Sequence, residues 1–74
     1  MPMSPAYSHS KIRRARLAAG RTVEDVARAA GISAQALYRI EAGEQNYGPR
    51  PTTAAALAAA LGLSIEVFLN DDAA

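Results

Sequence analysis

Apolar residues recur three and four positions apart through most of the chain, the period of helices that bury one face. From Ser10, the run SKIRRARLAAG places Ile12, Ala15, Arg16 and Ala19 along one side of a predicted first helix, which Gly20 stops. Thr22 caps a second helix, with Asp25 at capping-box spacing and an inward stripe of Val23, Val26, Ala27 and Ala30. Gly31 is expected to end it in a left-handed conformation that glycine adopts cheaply. Only Ile32 then precedes the next cap, Ser33. Two short helices joined so closely must cross steeply.

In the third helix Ala36, Leu37 and Ile40 face inward. Gln35, Tyr38, Arg39 and Ala42 follow the same period on the opposite side, so long polar side chains share one outward face. Gly43 breaks that helix, and EQNYGPRP reads as a loop. Pro51 or Thr52 opens a fourth helix with Ala54, Leu57, Ala58 and Leu61 inward. Gly62 ends it, and Ser64 caps a short fifth helix carrying Ile65, Phe68 and Leu69. The expected organisation is a flexible tail over 1–9, one all-α domain over 10–69 and a frayed tail over 70–74.

Composition narrows the chemistry. Of 74 residues, 18 are Ala, which favours close helix packing over a deep core. There is no Cys and a single His, His9, so neither a disulfide framework nor a His/Cys zinc site is available. No apolar run approaches the ~18 residues of a membrane span. The first ten residues lack the apolar core of a signal peptide, so a cytoplasmic setting is expected. All eight basic residues lie in 1–50 beside four acidic ones, a balance of +4; residues 51–74 hold three acidic residues and no basic one, −3. Such asymmetry suits one face directed at an anionic partner.

The pieces IRRAR, AAG, TVEDVARAAGIS, LYRIEAG and LAAALGLSIEVFL, in this order and spacing, resemble the Cro/CI-like helix-turn-helix family, also called the xenobiotic-response-element type. The resemblance covers roughly 10–69. It implies a compact five-helix, lambda-repressor-like domain that binds duplex DNA, commonly as a transcriptional repressor or regulator. The second helix would brace the backbone and the third would enter the major groove. Ser33, Ala34, Gln35, Tyr38 and Arg39 fall where the family's reading helix faces DNA. Gln35 suits adenine N6 and N7, and Arg39 suits guanine O6 and N7 or a phosphate. Ala34 offers a methyl contact to thymine, and Tyr38 a phosphate or thymine-methyl contact. Thr22, Ser33, Arg13, Arg28, Asn46, Tyr47 and Arg50 are the expected backbone contacts, with Lys11, Arg14 and Arg21 as further cations. Arg16 and Glu41 match two positions that pair structurally in the family.

Val23 stands where the family often carries a DNA-contacting Gln, and Arg21 where an apolar residue usually closes the core. The loop after Gly43 is longer than usual; Tyr47 either packs back on the domain or adds DNA contacts. A palindromic operator bound by paired domains is implied, with a monomer or weak homodimer in solution. Val67 and Phe68 are candidates for the pairing surface, Phe68 equally for the core. The rival reading is a protein-interaction module on the same fold, such as an antitoxin, adaptor or phage anti-regulator. No phosphate-binding loop, metal-binding motif or nucleophile with a base is present, so neither an enzyme nor a cofactor is expected.

Overall fold

The computed structural model describes residues 7–44 and 47–70. Four α-helices follow one another: α1 (His9–Ala18), α2 (Val23–Ala30), α3 (Ala34–Ala42) and α4 (Pro51–Ala60). A 3-10 turn, Ile65–Phe68, follows α4. The fold is therefore all-α as expected, but its fifth element is a 3-10 turn instead of an α-helix. The reason is length: Ser64 caps the turn, and Leu69 already has extended backbone at φ −61°, ψ 136°.

Each helix start is set by its own chemistry. The hydroxyls of Thr22 and Ser33 each accept the amide N–H three residues on, from Asp25 and Ala36, both at 3.0 Å. α4 starts without a side-chain cap, but Pro51 has no N–H to leave unpaired. α1 begins earlier than expected, because Ser8 is its cap and accepts from Lys11 N–H at 3.3 Å. The Ser8 N–H donates to the Phe68 carbonyl at 2.7 Å, and Tyr7 forms an antiparallel bridge with Leu69. The inner end of the expected tail is thus tied to the domain; residues 1–6 and 71–74 lie outside the described residues.

The turn between α2 and α3 follows the sequence expectation. Gly31 is left-handed at φ 75°, and the Ile32 N–H donates back to the Ala27 carbonyl at 3.0 Å. α2 packs on both α3 and α4, and Val26, Leu37 and Leu57 are buried in the one core that they form. α1 packs on α3 and on the 3-10 turn, which in turn packs on α4. Phe68, Ile12, Leu37, Leu57 and Val26 are the largest fully buried side chains, each contributing about 1.5–3 kcal/mol. Phe68 is therefore core, not a pairing surface. Two expected inward positions are not inward: Ala19 is the exposed C-cap of α1, and Leu69 is exposed where the backbone turns away.

Val23 and Arg21 both depart from the pattern they resemble. Val23 is buried and fills the core at the start of α2. Arg21 is half-buried, and its guanidinium reaches the Ala60 carbonyl at 3.5 Å. Val23, two residues on, supplies buried apolar surface that Arg21 does not.

Candidate nucleic-acid interface

The outward face of α3 depends on a buried ion pair behind it. Arg16 Nε donates to Glu41 Oε2 at 2.7 Å and Nη2 to Oε1 at 2.9 Å, a two-point contact between α1 and α3. Nη1 donates to the Arg21 carbonyl at 2.9 Å, so three guanidinium nitrogens hold structure. The side chains are only 11% and 6% exposed. Hydrogen bonding to Glu41 raises the Arg16 pKa above its ordinary value, although burial pulls the other way. Arg16 is unavailable to an external anion. With Leu37 and Ile40 buried beside the pair, α3 cannot rotate about its axis without exposing either carbon or charge.

What α3 leaves outside is the row Gln35, Tyr38, Arg39 and Ala42, all exposed. Gln35 carries an amide with both donor and acceptor atoms. Tyr38 is 54% exposed, yet its hydroxyl donates to Glu24 Oε2 of α2 at 3.2 Å. The Glu24 charge, and then that hydrogen bond, raises the Tyr38 pKa. Arg39 Nε donates to Glu44 Oε1 at 3.2 Å, and its guanidinium carbon lies 4.0 Å from the centre of the Tyr47 ring. Ala34 is half-buried and packs against the core, so little of its methyl faces outward.

The expected backbone contacts are scattered. Ser33 and Thr22 are exposed at the starts of α3 and α2, with their oxygens engaged as caps. Arg28 is exposed and 4.0 Å from Asp25. Arg13 and Arg14 are exposed on α1, and Arg50 is exposed at the start of α4. Lys11 instead donates to the Leu69 carbonyl at 2.9 Å. Tyr47 is half-buried and packs back against the core. Asn46 lies outside the described residues.

Two participants escaped the sequence reading: Glu24 and Glu44. Glu24 lies far from Tyr38 in sequence and reaches it only because α2 and α3 cross. Glu44 follows the left-handed Gly43, which returns the chain beside Arg39. An acid just past a helix-ending glycine, close after an outward Arg, was the available signal.

Short crossed helices and an exposed, rigidly backed face on the second of them define a helix-turn-helix domain. The chain belongs to the helix-turn-helix family, of the Cro/CI-like type, whose model matches residues 12–68. This is a family of DNA-binding domains. No curated protein matches the chain. No helix among the described residues is long and apolar enough to cross a membrane, and no group of acidic or imidazole side chains among them could hold a metal ion.

Proposed function

We propose that the chain binds double-stranded DNA sequence-specifically, as a small transcriptional repressor or regulator, with α3 in the major groove. The observation that carries this reading is the outward row on α3, backed by the buried Arg16–Glu41 pair. A helix with its side chains is about 10–12 Å across, and the major groove is about 12 Å wide. Gln35 pairs with adenine through its amide, Arg39 reads guanine, and Tyr38 borders a thymine methyl; the half-buried Ala34 adds little to base reading. Thr22, Ser33, Arg13, Arg28 and Arg50 position the duplex through its phosphates, with the amide N–H groups at the start of α2.

One α3 covers few base pairs, so two copies on a palindrome are the functional unit. Weak pairing in solution fits the modest apolar surface near the end of the domain, where Leu63, Val67 and Leu69 are 39%, 47% and 43% exposed. Selection of the purified chain against a random duplex library at near-physiological salt tests the reading. A short enriched palindrome is the expected result, and its half-site spacing gives the dimer geometry.

The second reading, a protein-interaction module such as an antitoxin or adaptor, draws on Glu24 and Glu44. Their carboxylates bond the outward Tyr38 and Arg39. Absence of enrichment, in a chain shown to be folded, would favour it, and capture of a protein partner would be the next measurement.

A further inference from the structure

We propose that Glu44 and Tyr47 are positioning residues for base recognition. They hold the Arg39 guanidinium so that its Nη1/Nη2 edge meets a guanine. This rests on the reading of α3 as a DNA-reading helix and names one base class and the device that selects it.

A free arginine side chain has many rotamers, and fixing one opposes binding. Arg39 is already fixed from two sides. Glu44 Oε1 takes the Nε–H at 3.2 Å, and the Tyr47 ring covers one guanidinium face at 4.0 Å. Both supports are themselves anchored. The Glu44 N–H points at the Arg39 carbonyl at 3.5 Å, and the Tyr47 N–H donates to the Glu44 carbonyl at 3.1 Å. The Tyr47 ring packs against the core and walls a groove with Ile32, Ala36 and Ile40. Among the described residues, Nε is the only Arg39 guanidinium nitrogen that donates a hydrogen bond, so the terminal edge keeps its donors.

Charge decides between guanine and phosphate. Arg39 and Glu44 together carry no net charge, so the pair attracts a phosphate weakly. Two parallel donors still match guanine O6 and N7, whose recognition depends on direction more than on net charge. A carboxylate at this rim would otherwise only repel the duplex. Tyr47 therefore acts through Arg39, with its ring rather than its hydroxyl.

The test uses the full chain on its best selected duplex and on every single-base change across one half-site, with affinities read by fluorescence anisotropy. Arg39→Ala should abolish the preference for one guanine. Glu44→Gln and Tyr47→Leu should each cut that preference about three- to tenfold and leave the other positions alone. Tyr47→Phe, which keeps the ring, should retain it. Thermal melts identify any variant unfolded at the assay temperature; if Tyr47→Leu unfolds, Glu44→Gln and Tyr47→Phe carry the test. The proposal is overturned if Arg39→Ala leaves every base preference intact, or if Glu44→Gln changes affinity equally on all duplexes. It is also overturned if Tyr47→Phe loses the guanine preference. A wild-type chain with no sequence preference overturns the DNA-reading role itself, whereas a preference indifferent to Glu44 and Tyr47 overturns only their positioning role.

Discussion

Glu41 is the one buried charged residue among those described, and its cost is met by a single partner. Glu41→Gln leaves the Arg16 guanidinium in a largely covered site with one neutral acceptor in place of a carboxylate. Breaking such a pair costs about 3–5 kcal/mol. The lower end applies here, because the Arg21 carbonyl keeps its hydrogen bond and Arg16 is only partly buried. Denaturant unfolding should show that loss, and a change below about 1 kcal/mol would mean the pair is exchanged for water at little cost. Gly43 is a second sensitive residue. Its φ of 69° penalises any side chain, and a methyl there would stand 2.6 Å from His9 Nε2. Gly31 shares the left-handed backbone but faces open space. Gly43→Ala should therefore destabilise more than Gly31→Ala, each by at least about 1 kcal/mol. His9→Ala in the Gly43→Ala background should remove the excess; equal costs for the two glycines would show that His9 swings aside freely.

At the scale of elements, α3 is both a core helix and an outward surface, and the two halves respond differently to mutation. Gln35→Ala should weaken the best site by about 1–3 kcal/mol relative to random DNA, since a lost bidentate base contact is lost only on the right base. Arg50→Ala should weaken all duplexes alike and flatten the salt dependence of binding. Titrations on matched and random duplexes at two salt concentrations separate these outcomes, and a uniform effect at Gln35 would end its base-reading role. The Tyr38–Glu24 contact couples α3 to α2 outside the core. Glu24 holds the Tyr38 phenol above its ordinary pKa, so this contribution is present below the ordinary tyrosine range and fades as pH rises through the raised value. In Glu24→Gln, ultraviolet titration should show one phenol ionising at lower pH than in the wild type. An unchanged titration would dissolve the contact. The sequence revealed α2, α3 and their turn because the signals are local: a hydroxyl at each start, a glycine between, a stripe at helical period. The 3-10 turn was hidden because Leu69 leaves helical geometry to pair with Tyr7, a partner far away in the chain. The Glu44–Arg39–Tyr47 arrangement was hidden for a related reason, since a loop's path carries no period to read.

At the scale of the molecule, pattern and packing agree on the order of the elements, and one departure lies where Tyr7 meets Leu69. Tyr7 pairs with Leu69, Ser8 donates to the Phe68 carbonyl, and Lys11 donates to the Leu69 carbonyl. These bonds make the domain a nearly closed ring. Closing a loop that spans most of the chain has an entropic cost that the short-range helix turns do not share. The clasp is therefore the last part to form and the first to open. Amide hydrogen exchange should find the Ser8 N–H released well before those of Leu37 and Ile40, through local opening rather than global unfolding. Equal protection would make the clasp part of the cooperative core. Mechanically, the ring behaves as a belt with its buckle at one edge. Tension applied at the two ends would load these few hydrogen bonds before any helix. Once they part, α1 loses the anchoring of its cap and Phe68 loses the segment that holds its turn in place. A pull of that kind would peel the domain from its rim inward, leaving the crossed pair α2 and α3 as the last structure to yield.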